Sequence, residues 1–303
     1  MGDNILTMIK VIELPIDKDM GGLTSYVLQL YRMIDKKEFE LTLLSYDDPQ
    51  NFDVNYNVET VSRPYHIIQF YKKMKCLLSE EKNIIHFHQS YVNIIPILIA
   101  KLAGFKTIIL HAHSSSIDDN RKIVRFLKTG LHKVGRFLLP YLVDTYIGCS
   151  TKASEWMFPR KCIDSDSYYL LHNAIDLDLY DRNINLGLEV RQKFNIPKDA
   201  LVVGHIGRFT PVKNHPFIID IFKEVLKQNP NSYLFLLGDG VERHKIESLV
   251  KSAAISDKVI FMGYVNNTVD IMQAIDIMIL PSLFEGLPLI AIESQDRKST
   301  RLN

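Results

Sequence analysis

Short runs rich in Ile, Val and Leu alternate along this chain with amphipathic segments, and that rhythm constrains the fold more than any other feature. "TMIKVIEL", "FELTLLSY", "NIIHFH", "KTIILHAH" and "DTYIGCS" are strand-like in the first half, and "LVVGHIGRF", "SYLFLLGDG", "KVIFMGYV" and "IDIMILPS" in the second. Most lack a strict polar alternation, as expected of parallel strands covered on both faces. Helical periodicity fits between them, over roughly 22–35, 66–81, 91–103, 120–139, 214–228, 241–254 and 267–274. Repeated βα units of this kind predict an α/β fold of doubly wound parallel sheets. The rhythm slackens around "LLHNAIDLDLYDRNINLGLEVRQKFNIPKDA" and restarts at Leu201. The expectation is therefore two Rossmann-like domains, 1–172 and 173–295, facing a ligand cleft at the strand C-terminal ends.

Composition narrows the function. A chain of 303 residues, 47% hydrophobic and 23% charged, can bury two ordinary cores. The net charge of +1 gives no field for nucleic acid. Cys76, Cys149 and Cys162 show no CxxC spacing, which suits a reducing cytoplasm. "MGDNILTMIKVIELP" lacks a signal-peptide pattern, and Lys101, Gly104 and Lys106 interrupt the most apolar stretch, so no membrane span is expected.

Five places could carry chemistry. In "GRFTPVKN", Gly207 ends a strand, Arg208 follows, and Lys213 and Asn214 precede a helix. Such a junction gathers backbone N–H groups and a positive helix end, and two cations beside it suit a diphosphate without metal. The alternative is a solvated loop with two surface charges. "GDG" at Gly238 is a second strand-to-helix turn, and "MGGLTSYVLQL" places Gly21 and Gly22 before an amphipathic helix; both also fit plain turn geometry. "HFH" (His86, His88) and "HAH" (His111, His113) end two strands with side chains on a shared face. Zinc is discounted there because no carboxylate or cysteine stands close in sequence, which leaves one histidine of a pair packed and the other free for the cleft. Finally, "PSLFEGLPLIAIES" carries Glu285 on a turn made tight by Gly286, then Leu287, Pro288 and Glu293 on a helix. Carboxylates accept well from vicinal sugar hydroxyls.

Together, "GHIGRFTPVKNH", "LLGDG", "VIFMGY" and "LPSLFEGLPLIAIES" resemble the family 4 retaining glycosyltransferases of the GT-B fold. "HNAID", "HAHSS" and "GCSTKASEWMF" resemble the branch that builds capsular polysaccharide or exopolysaccharide, and the likeness spans residues 5–295. The resemblance implies transfer of a sugar from a nucleotide-sugar, most commonly a UDP-sugar, to a saccharide or lipid-linked acceptor. Arg208 and Lys213 would hold the diphosphate, Glu285 the donor sugar and Glu293 the ribose. Gly21 and Gly22 would approach the phosphates and acceptor, with Gly207, Asn214, Gly238, Gly286 and Leu287 lining the donor. His113, or His111 in its place, would stand near the reacting sugar. Neither metal nor cofactor is implied, since the nucleotide-sugar is substrate. A nucleotide-sugar 2-epimerase shares the architecture, and a fragment that binds nucleotide without reaction is a third reading. The usual Asn-Gly junction reads Asn173-Ala174-Ile175-Asp176, a change of turn.

Two segments stand apart. In "RKIVRFLKTGLHKVGRFLLP", Arg121, Arg125, Lys128, His132 and Arg136 form one helical stripe, and Val124, Leu127, Leu131, Val134 and Leu138 another. The apolar stripe is expected on the sheet. The basic one faces water or the anionic lipid of the inner membrane face. The last eight residues, "DRKSTRLN", match nothing in the family and translate a common short-read sequencing adapter codon for codon. The expectation is that the natural sequence ends here at Gln295, and that the chain as written is poorly stable and inactive while its parent gene encodes an active transferase.

Overall fold

The computed structural model describes residues 8–17, 21–53, 55–79, 83–181, 183–265 and 267–296. The non-native tail expected at 296–303 lies outside them but for Asp296, which ends a helix. The chain divides into two compact units, one of residues 1–173 with 284–288, the other of 174–283 with 289–303.

In the first unit seven strands form one sheet: β1 (Ile9–Ile16), β2 (Phe39–Ser45), β3 (Val58–Thr60), β4 (Ile84–Gln89), β5 (Thr107–Ala112), β6 (Thr145–Gly148) and β7 (Tyr168–Leu170). Their order is β3-β2-β1-β4-β5-β6-β7, with every neighbouring pair parallel. Parallel strands need crossovers, which α1 (Gly22–Met33), α2 (Ile67–Leu77), α3 (Ile94–Ala103) and α4 (Lys122–Leu142) supply, followed by the short α5 (Thr151–Met157) and α6 (Arg160–Ile163). Ile12, Leu14, Ile85, Phe87, Ile108 and Leu110 are almost wholly buried beneath them. Chain order reverses between β1 and β4, the switch point outside which open α/β sheets hold ligands.

The second unit repeats the plan with β8 (Leu201–Ile206), β9 (Ser232–Leu237), β10 (Val259–Gly263) and β11 (Ile277–Met278), in the parallel order β10-β9-β8-β11. Its helices are α7 (Ile184–Lys193), α8 (His215–Gln228), α9 (Arg243–Ser252), α10 (Thr268–Met272) and α11 (Leu289–Asp296). Here the switch point falls between β8 and β11. Arg191 of α7 secures that edge: its guanidinium donates to the carbonyls of Ala274, Lys198 and Ala200 and pairs with Asp276 at 2.7 Å.

α4 departs from the expected stripes. His132 is buried, stacked on Trp156 at 4.2 Å and accepting the Val92 N–H, and burial pushes its pKa down to about 4. Arg136 donates to the carbonyls of Glu155, Trp156 and Phe158, and Lys128 pairs with Asp119 at 2.8 Å. Arg121 also pairs with Asp119, so four of the five residues of the basic stripe serve the protein itself. Of the apolar stripe, Leu131 and Leu138 pack on the core, but Leu127 and Val134 are exposed. They join Ile123 (77% exposed), Phe126 (78%), Phe137 (73%) and Tyr141 on one helical face. Among the described residues no helix is long and apolar enough to cross a membrane.

Candidate functional site

At the second unit's switch point, β8 ends at Ile206, and the N–H of the next residue, Gly207, donates to the Leu237 carbonyl at the end of β9. The strand ends meet closely. Gly238 takes φ +125°, and a Cβ there would drive into the Gly207 carbonyl. Gly240, at φ +155°, lies against the Phe209 backbone, which is paired to Asp239 and Glu242. Glycine is needed at both for conformation as well as space. Between Gly207 and α8 the chain makes a 3₁₀ turn over Pro211–Lys213, then Asn214 adopts the left-handed conformation (φ 54°) before the helix. Asn214 donates to the Pro281 carbonyl and the Leu283 N–H to the Val212 carbonyl, tying this turn to the chain after β11. The aliphatic part of Lys213 lies over Gly207, its Cε 3.3 Å from where a Cβ would stand. Arg208 is exposed beside it. The fold thus gathers Gly207, Arg208, Lys213, Asn214 and Gly238, with the N-terminus of the fourteen-residue α8 among them. The N–H groups of Gly207, Lys213, Asn214 and Gly238 are taken by backbone carbonyls, so it is the two cations and the helix end that make this a candidate anion cradle.

Glu293 lies elsewhere in this unit, half-buried on α11. Burial pushes its pKa up, against a hydrogen bond from the Tyr180 side chain that pulls it down.

In the first unit the turn 284–288 is held by its backbone. The Ser115 hydroxyl donates to the Glu285 carbonyl (2.6 Å), Ser150 to Gly286 (2.7 Å) and the Asn173 amide to Leu287 (2.6 Å). A Cβ on Gly286 would drive into the His113 carbonyl and press Cys149 Sγ. His113, Glu285, Gly286 and Leu287 are therefore brought together, and the three donors that hold the turn went unnoticed in the sequence. Gly21 and Gly22 open α1, and a Cβ on Gly22 would meet nothing within 4 Å, so packing does not demand that glycine.

Sequence reasoning discounted a histidine cluster for want of a nearby carboxylate; the structure supplies one. Glu13, in the middle of β1 and 2% exposed, stands in register with His86 and accepts from His88 Nε2 at 2.6 Å and His86 Nδ1 at 3.0 Å. The sequence signal was an acid within the apolar run "IKVIELPI". Burial raises the Glu13 pKa, but the charges and hydrogen bonds of His86 and His88 outweigh it and hold the carboxyl at about 2. His88 is pushed down to about 4 by burial and by His86, against the pull of Glu13. Its Nδ1 lies 2.8 Å from His113 Nε2. Burial and neighbouring histidines also hold His111 and His113 well below the usual imidazole range. Tyr26, one turn into α1, packs its ring on His88, His111 and His113, with centroids 5.8, 5.1 and 4.9 Å away. His86, His88 and His111 bring one nitrogen each within 4.8 Å of the others, a spacing from which a metal could be held. Both His88 nitrogens already have hydrogen-bond partners, so a cation would have to displace Glu13 or His113.

Residues 20–179 match the model of Glycosyltransferase Family 4, and residues 188–298 that of Glycosyl transferases group 1. A Bacillus subtilis (strain 168) protein named as a glycosyltransferase, EpsF, is 26% identical over 94% of this chain and 76% of its own length. The UDP-Gal:alpha-D-GlcNAc-diphosphoundecaprenol alpha-1,3-galactosyltransferase of Escherichia coli is 22% identical over 95% of this chain and 77% of its own. The crystal structure of Anabaena Alr3699/HepE in complex with UDP and glucose superposes with a TM-score of 0.74 at 17% identity, covering 95% of this chain and 78% of that one. The two parallel sheets are those of the GT-B fold, and the chain belongs to glycosyltransferase family 4.

Proposed function

We propose that this protein transfers a sugar from a UDP-sugar to a saccharide or lipid-linked saccharide acceptor in surface-polysaccharide synthesis, keeping the anomeric configuration. The observation that carries the reading is the anion cradle at the β8/β11 switch point, where Arg208 and Lys213 flank Gly207 and the start of α8. In this reading the two cations bind the donor diphosphate and stabilise the charge it acquires on departure, so no metal is needed for that step. Preorganised charge of this kind is worth far more in a transition state than in water. Glu285 binds donor-sugar hydroxyls, Glu293 the ribose hydroxyls, and His113 stands at the reacting sugar. Gly21 and Gly22 leave room for phosphate or acceptor oxygens. The names of the relatives support a nucleotide-sugar donor: the E. coli protein's names a UDP-galactose donor and a diphosphoundecaprenol acceptor, and the Anabaena structure holds UDP and glucose. A lipid-linked acceptor also suits the exposed apolar face of α4, which Lys122 and Lys133 border, at the inner face of the cell membrane.

The test is incubation of the purified product of the parent gene with a panel of UDP- and GDP-sugars, with and without lipid-linked acceptors. Glycosylated acceptor and released nucleotide, both dependent on acceptor, are the expected result. Isomerisation of the nucleotide-sugar without acceptor would make it an epimerase. Nucleotide binding with neither reaction would leave a binding fragment.

A further inference from the structure

The hydrogen-bond chain from Glu13 to His113 has a direction that its chemistry dictates. Glu13 is nearly inaccessible and His88 1% exposed, while His113 is half-buried, so the chain runs from the interior to the least buried of the three residues. A carboxylate only accepts, so the 2.6 Å contact requires the His88 proton on Nε2. A neutral imidazole has one N–H, which leaves His88 Nδ1 as an acceptor. The 2.8 Å contact to His113 Nε2 must then be donated by His113. The remaining nitrogen of that ring, Nδ1, is then unprotonated and able to accept. Desolvation of His88 keeps it neutral and so preserves this order.

We propose that Glu13 is a positioning residue which, acting through His88, locks His113 as the Nε2–H tautomer, so that Nδ1 accepts a hydrogen bond from a hydroxyl of the bound sugar. The first half concerns the protein alone; the second rests on His113 standing at the reacting sugar, as proposed above. Without the Glu13 charge, His88 has no reason to prefer Nε2–H, and His113 would populate both tautomers. Molecules in the other tautomer would then present an N–H where an acceptor is needed.

Two-bond proton–nitrogen correlation spectra of the histidine-labelled protein, free of substrate, test the first half. The expected result is an unprotonated His113 Nδ1 in the native protein and mixed tautomers in Glu13→Gln. A protonated Nδ1 in the native protein overturns the proposal, and this reading needs no variant to fold. Transfer assays test the second half through a double-mutant cycle. Glu13→Gln should lower kcat about tenfold, as for one lost substrate hydrogen bond, with KM for the donor little changed. In a His113→Ala background the same change should cost less than about twofold, because its route of action is gone. Additive losses overturn the positioning role. If His113→Ala alone leaves transfer unchanged, the role given to His113 at the sugar fails, while the tautomer assignment is judged by the spectra.

Discussion

Glu293 is held in its charged form at a cost to the fold. Burial raises its pKa above the ordinary 4.5, so the folded protein holds this proton more tightly than the unfolded chain. Stability therefore falls as pH rises through 4.5 towards the folded value, and stays reduced above it. Glu293→Gln is expected to raise Tm at pH 7 and leave it unchanged near pH 4, as read by calorimetry at both. If the carboxylate binds ribose, the same change should weaken UDP about tenfold, the usual exchange of stability for function. Its place after "PSLFEGLP" made this residue legible in the sequence. Glu13 was not, because its partners His86 and His88 follow more than seventy residues later and only strand pairing brings them to it. Ser115, Ser150 and Asn173 escaped for the same reason: each acts on a backbone carbonyl of 284–288 that sequence distance conceals.

Among the elements, α4 is the one whose periodicity was readable and whose facing was not. Its length and amphipathic character follow from "RKIVRFLKTGLHKVGRFLLP", and the helix runs Lys122–Leu142. Which stripe turns inward depended on contacts outside it, chiefly Trp156 stacked on His132 and three carbonyls that take Arg136. Those contacts turn the Ile123, Phe126, Phe137 and Tyr141 face outwards. Phe126→Asp with Phe137→Asp should weaken co-sedimentation with phosphatidylglycerol vesicles at least tenfold without lowering Tm, since neither ring packs in the core. Unchanged sedimentation would remove the membrane from the account. The seven helices expected from periodicity all occur; six are trimmed by a few residues, and α4 runs three residues past its expected end, to Leu142. β3 and β7, three residues each, went unforeseen because so short a run carries no period.

At the scale of the whole molecule, two parallel sheets each reverse their strand order once, and part of the residues with candidate chemistry stand at those reversals, though Glu285 and Glu293 do not. Glu13 and the histidines stand on β1, β4 and β5 or just beyond, and Gly207 to Asn214 follow β8. The alternation of apolar runs with amphipathic segments was enough to expect the two sheets. Strand order was beyond it, because parallel neighbours are chosen by crossover packing rather than by local pattern. The central proposal is that the second unit holds a nucleotide diphosphate with two cations beside the start of α8. Calorimetric titration of UDP into the protein, in the presence of EDTA, tests it most directly. One UDP should bind per chain, unaffected by the chelator, and Lys213→Ala or Arg208→Ala should each weaken it about 10- to 100-fold, as expected for a lost charge-assisted contact. Absent binding, or binding indifferent to both substitutions, would contradict the account.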